Sequence, residues 1–401
     1  MRIIINECKK ILDIRIILLL CMFSILYYMT FTQIYLYPTG GQVTNTKYDI
    51  PFTAELVKEW GPKWKVKDEK QYQEKHQELE RGFAKIIKQD QELSKRGIVD
   101  YEIFNKKYEE LGQKTTLSKQ EKELGKILEN YVFYNDKTSK IFLAIQALEH
   151  IREFQGSEYG VSDKKYKELK ADGFFDGTKL YQKAIEKRVK RDYISLVHEG
   201  VFYILQEDMV TIGGLIMICF FALIIPYQLK QRLRQVIPIL ATTKTGRRIY
   251  QIQLIASALV ALFVGILQMA VYGIIWHLKG LSVFWRCESW GIASNSYWCD
   301  KLSFGTYMLL YMALILLFAI ASIVIIDFIG RTIGNYMGAV AVSIPVCGVM
   351  MFLMRKIYYM LFLITNDQVL AYWELYALAT WLIVMLLFYK IRSKRWKKVD
   401  L

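Results

Sequence analysis

Residues 209–229 read MVTIGGLIMICFFALIIPYQL, a run without one formal charge. A helix rises ~1.5 Å per residue, so about 20 apolar positions cross a ~30 Å hydrocarbon core. Backbone groups in lipid must pair internally, so this length and Leu/Ile content specify a spanning helix rather than a short barrel strand. Five more stretches meet the same test: 16–37, 249–276, 306–326, 333–354 and about 370–389. The expected fold class is an all-α membrane protein with six transmembrane helices.

The charges lie elsewhere. Of 91 Lys, Arg, Asp and Glu side chains, 61 fall within residues 38–208, where 31 bases nearly balance 30 acids. A polar domain is therefore inserted between the first two spans. This distribution excludes a soluble enzyme, a disordered chain and a disulfide scaffold. Within the insert the pattern is helical. Leu79, Phe83, Ile86, Ile87 and Leu93 punctuate a Lys/Glu/Gln-rich stretch from Lys67 to about Arg96. Ser118 and Glu121 form a capping box, followed by Leu124, Ile127, Leu128, Tyr131 and Val132 at helical spacing. Gly173 to Gly177 reads as a turn. A helix from Thr178 meets no breaker before Gly200, and is expected to run almost directly into the second span. The mixed-sign charges read as solvated helix faces with weak pairs.

Alternate loops set the orientation. One side collects 17 Lys/Arg against four acids, including Arg2, Lys9, Lys10 and Arg15, the bases of 230–248, Arg331 and the basic tail 393–401. Both termini are therefore expected to be cytoplasmic and 38–208 extracytoplasmic, in the cell membrane. The first span, flanked by tyrosines rather than a small-residue cleavage site, reads as an uncleaved anchor. Residues 1–15 are amphipathic and suit a helix lying along the inner interface. The basic balance then serves lipid and topology, and nucleic acid is not an expected partner.

Little points to catalysis. His76, His150, His198 and His277 show no metal-ligand spacing, and HExxH, GxSxG, GxGxxG and GxxxxGK[ST] are all absent. No catalytic residue, metal or bound cofactor is expected. Cys287 and Cys299 share the outer loop 278–304; they form either a disulfide, worth about 3 kcal/mol of loop entropy, or two unpaired thiols. Asp327 faces headgroups or pairs with Arg331, and Glu374, Arg355 and Lys356 read as interfacial. Gly330, Gly334 and Gly338 form either a packing face or a tight turn.

The segment 230–248, between spans two and three, is the informative one. Pro226 to Leu240 reads PYQLKQRLRQVIPIL, a short basic amphipathic helix. Leu233, Val236 and Ile237 share one face by their i, i+3, i+4 spacing and would be its buried anchors. The next residues are ATTKTGRR, from Ala241 to Arg248, and the third span follows at once.

This layout resembles the permeases of the ABC transporter superfamily, in its type-2 export class. Those have an N-terminal interfacial helix, six spans and a coupling helix between spans two and three, followed by a pattern like L-x-x-[ST]-x-x-G-R. Here Leu240, Thr243, Gly246 and Arg247 occupy that pattern, and some members carry a large outer domain between spans one and two. The family commonly places an acidic residue early in the coupling segment, and 227–237 has none. The resemblance covers the membrane part and implies an outer re-entrant segment at 355–369, beginning with a short helix at 357–364. It implies ATPase-coupling roles for Thr243, Gly246 and Arg247. It also implies a separate ATP-binding subunit holding ATP and Mg, and a second permease chain, identical or similar. The cargo would be an amphipathic peptide, antibiotic or lipid-like molecule. A second reading is a membrane receptor whose outer helical domain binds an extracellular ligand.

Overall fold

The computed structural model describes residues 2–36, 46–65, 68–158, 163–173, 176–191, 193–233, 249–289, 298–299 and 301–398. Helix α1 (Arg2–Ile11) leads to α2 (Ile14–Phe31) and the short α3 (Gln33–Leu36). The polar domain follows with α4 (Thr46–Trp60), β1 (Lys63–Lys65), α5 (Glu69–Ile87), α6 (Gln91–Lys95), α7 (Tyr101–Gln113), α8 (Lys119–Glu129), α9 (Asp136–Glu158), α10 (Asp163–Ala171), α11 (Lys179–Val189) and β2 (Tyr193–Ser195). The bundle is completed by α12 (Glu199–Leu233), α13 (Ile249–Leu278), α14 (Phe304–Thr332), α15 (Tyr336–Tyr358) and α16 (Trp373–Lys398).

Among the described residues six helices are long and apolar enough to cross a membrane: α2, α12, α13, α14, α15 and α16. They are not equivalent. The apolar stretch of α12 is 78% buried, against 17% for α2 and for α16. Helix α12 is thus the central post, packed chiefly on α14 and α15, and the first and last spans are peripheral. Close approach is set by a glycine: a Cβ on Gly213 would stand 2.7 Å from Met354 and 2.9 Å from Ile315.

The polar domain has its own aromatic core. Phe83 meets Phe104 and Tyr101 edge-on at 5.1 and 5.8 Å, with Phe142 against all three. Helix α8 opens with the expected capping box, since Ser118 Oγ accepts from the Glu121 N–H and Glu121 Oε2 accepts from the Ser118 N–H. In α4 Asp49 has a buried Oδ1 without a hydrogen-bond partner, and burial pushes its carboxyl up to about 7.

Several expectations need correction. The helical fold stands, with one small sheet that sequence did not anticipate: β1 and β2 pair antiparallel, Lys63 with Ser195, Trp64 with Ile194 and Lys65 with Tyr193. This pair closes the domain at its base, with Trp64 and Ile194 buried. The helix from Thr178 does not reach the second span: α11 stops at Val189 and the chain enters β2 first. The first span ends at Phe31, not Tyr37. There the backbone turns at Thr32, and the Asp208 carboxylate accepts the N–H groups of Gln33 and Ile34, which starts α3.

Segment 355–369 differs as well. Helix α15 absorbs Arg355 and Lys356 and ends at Tyr358; residues 359–362 then form turns instead of the expected short helix. Phe362 and Tyr372 adopt left-handed backbone (φ 61° and 54°), uncommon for bulky residues. The segment is held by Phe362 N–H donating to Glu374 Oε1 (3.0 Å) and by Tyr307 Oη donating to the Leu361 carbonyl (2.9 Å). The polar domain leans on it too, since Thr178 N–H donates to the Asn366 carbonyl and Thr178 Oγ1 to that of Gln368.

Candidate functional site

The site is the bundle end from which 234–248 leaves α12 and returns as α13. Among the candidate coupling residues, Leu233 is the last residue of α12 and is 55% exposed. Val236, Ile237, Thr243, Gly246 and Arg247 lie outside the described residues, as does the rest of 234–248.

Around the two roots of that segment the helices are joined by a buried polar frame. On α14, Arg331 Nε donates to Asp327 Oδ2 at 2.8 Å, one helical turn away, and both side chains are at most 2% exposed. Asp327 Oδ1 accepts from Gln228 Nε2 of α12 at 2.6 Å. Arg331 Nη2 donates to Gln253 Oε1 of α13 at 2.7 Å, and its guanidinium stacks 5.0 Å from the Tyr250 ring centre. Arg232, one residue before Leu233, donates to the Arg331 and Thr332 carbonyls at 3.1 and 2.6 Å. These carbonyls end α14 and would otherwise be unsatisfied.

Helix α1 joins the same frame. It packs along α13, and its Glu7, 3% exposed, accepts from the Tyr227 hydroxyl of α12 and from Lys10 at 2.6 Å. Desolvating several charges costs more than one ion pair returns, unless each remaining lone pair and N–H is engaged. The amide and aromatic partners supply part of that engagement, while Gln228 Oε1 and Gln253 Nε2 are buried without a hydrogen-bond partner. The result fixes α1, α12, α13 and α14 to one another where the segment begins and ends. Small size permits it: a Cβ on Gly330 would stand 2.8 Å from Gln228 Cβ. Of the three spaced glycines, then, Gly330 serves packing. Gly334 has open space, and Gly338 donates its N–H to Asn335 Oδ1, the cap of α15.

Of the two readings of Asp327, the structure shows the pair with Arg331, inside the bundle. The interfacial reading is corrected for Glu374. Arg355 makes a two-pronged ion pair with Glu207 of α12 at 3.2 and 3.3 Å, and Glu374 is 1% exposed. At the opposite end Asp208 is fully buried and also accepts from Tyr272 Oη at 3.0 Å. Sequence reading assigned Asp208 to the polar domain and missed it. The pair Asp327/Arg331, at i, i+4, carried a usable signal.

In the loop after α13, no disulfide joins Cys287 and Cys299; both are thiols. The loop base is closed by backbone instead. Phe304 N–H donates to the Cys287 carbonyl (2.7 Å) and Ser289 N–H to that of Leu302 (2.8 Å). Cys287 is buried, which pushes its thiol up to about 12. Among the described residues no group of three His, Cys, Asp or Glu side chains could hold a metal ion. No family model matches the chain, and neither a curated protein nor a solved structure matches it.

Proposed function

We propose that this chain is the membrane-spanning permease subunit of an ATP-driven exporter of the type-2 ABC class. It moves an amphipathic peptide, antibiotic or lipid-like substrate outward, using work supplied by a separate ATPase. The observation that supports this best is the frame at the roots of 234–248. A chain without a phosphate loop must receive work by contact, and a docked helix delivers it only if its attachments are stiff. Here both attachments are tied to a third helix. A displacement of the segment is passed from α12 to α14 through Arg232 and Gln228, and from α13 to α14 through Gln253, with Arg331 linking the two.

In this reading both termini and 234–248 face the cytoplasm, where the 17 bases collect, and the polar domain stands outside the cell. Leu233, Val236 and Ile237 seat in the ATPase, with Thr243, Gly246 and Arg247 at the return into α13. ATP and Mg belong to that partner. Six spans are few for a pathway, so a second permease chain, identical or similar, completes it. Purification from native membranes in mild detergent tests the proposal. A subunit carrying a phosphate loop should co-purify in near-equal amount. Recovery of the chain without any ATPase would favour a receptor whose outer domain binds an extracellular ligand.

A further inference from the structure

A cavity of about 630 Å³ lies where the polar domain meets the end of α13. Its walls include Val57 and Pro62 from the domain, Gly273 and His277 from α13, and Trp285 and Arg286 from the short 3-10 helix Leu281–Arg286. That volume falls within the range of small-ligand sites, about 300–1,000 Å³.

Its position is set by the helix beside it. Ile274 and Leu278 are 59% and 77% exposed, as residues facing hydrocarbon are, and the chain then turns at Gly280 (φ 77°). The cavity thus sits at the level where α13 leaves the apolar layer. Trp285, 40% exposed, has the amphipathic ring that prefers this depth.

The chemistry of the walls is one-sided. Arg286 is exposed and makes no ion pair among the described residues, and no carboxylate lines the cavity. Glu288, two residues on, is engaged by Lys63 at 2.7 Å and by the Tyr193 hydroxyl at 2.9 Å. The His277 ring uses Nδ1 toward Ser282 Oγ at 3.1 Å, which leaves Nε2 for another partner. An arginine beside an apolar wall at the water–lipid boundary fits an anion carried on an apolar chain, and a guanidinium fork matches a phosphate.

We infer that this cavity binds the phosphate headgroup of an anionic phospholipid, with Arg286 as its charge partner and Trp285 beside the first part of the chain. A lipid held there touches both the polar domain and α13, and so braces one against the other.

The test is native mass spectrometry of the full-length chain in detergent. The probes are dioleoyl phosphatidylglycerol, dioleoyl phosphatidylcholine with the same chains, and inorganic phosphate as competitor. The wild type should retain phosphatidylglycerol about tenfold better than phosphatidylcholine, with no competition from millimolar phosphate. Arg286→Gln should abolish that preference and Arg286→Lys should keep most of it. Gly273 has no atom within 4 Å of a built Cβ, so Gly273→Phe fills the cavity without a clash at Cβ and should remove the bound lipid. A circular dichroism melt matching the wild type confirms that each variant is folded. Equal retention of the two lipids, phosphatidylglycerol surviving Arg286→Gln or Gly273→Phe, or displacement by free phosphate would each overturn the assignment.

Discussion

Arg331 and Gln253 lie 78 positions apart in the chain, yet Arg331 Nη2 donates to Gln253 Oε1 at 2.7 Å in the interior of the bundle. The same guanidinium holds Asp327, so one side chain ties the start of α13 to the end of α14. The helices on either side of residues 234–248, α12 and α13, are both hydrogen-bonded to this Asp327–Arg331 pair.

Breaking the pair should be costly and removing it whole should not. Arg331→Met leaves Asp327 buried without its cation and should cost about 3–5 kcal/mol. The double change Arg331→Met with Asp327→Leu should recover most of that loss. Thermal unfolding of the wild type, Arg331→Met, Asp327→Leu and the double variant in detergent gives the coupling directly, and an Arg331→Met protein as stable as wild type would show that the frame is not structural.

Asp49 should make the protein less stable as pH rises. Its folded carboxyl titrates at about 7, above an unfolded value of 3.8, so the folded state binds the proton more tightly. The stabilisation is complete below pH ~4 and is lost as pH climbs through about 7. Asp49→Asn should flatten that part of the stability–pH curve and raise stability at pH 8, on the order of 2–4 kcal/mol. Parallel curves for the two proteins would contradict the burial of this carboxyl.

The extent to which sequence anticipated this fold follows from the range of the interactions involved. A span is a property of about twenty neighbouring residues, so all six were readable, as was the capping box of Ser118 and Glu121. What failed depends on distant partners. Three residues, Lys63–Lys65, become a strand only because Tyr193–Ser195 lies alongside. The first span stops early because of Asp208, 175 positions from Gln33. The turn at Phe362 is fixed by Glu374 and by Trp298, whose N–H donates to the Phe362 carbonyl. Of the coupling face, Leu233 alone could be placed; the frame beneath it was hinted at by the spacing of Asp327 and Arg331.

The thiols of the loop after α13 should behave differently from a bonded pair. Without any reductant, Cys287 should resist alkylation in the folded protein, because it is buried and poorly ionised, and should react once the protein is denatured. If denatured protein instead required a reductant before either cysteine reacted, the two would be bonded.

Sidedness can be read in intact cells. Single cysteines at Gln113 and Glu129, both exposed positions of the polar domain, can be placed in a background with the six native cysteines replaced. Each should react with a membrane-impermeant thiol reagent before lysis. Protection of both until the cells are broken would invert the proposed topology.

Coupling to an ATPase through 234–248 is the central claim, and ATP turnover by the purified complex in lipid tests it most directly. Burying a Leu or Ile side chain is worth roughly 1.5–3 kcal/mol, and each ~1.4 kcal/mol is about tenfold in affinity. Leu233→Asp together with Ile237→Asp should therefore leave an inserted, folded permease whose ATPase dissociates, with affinity lowered about 100-fold or more and substrate-stimulated turnover lost. A double variant that keeps its ATPase bound and hydrolyses ATP at the wild-type rate would contradict the account.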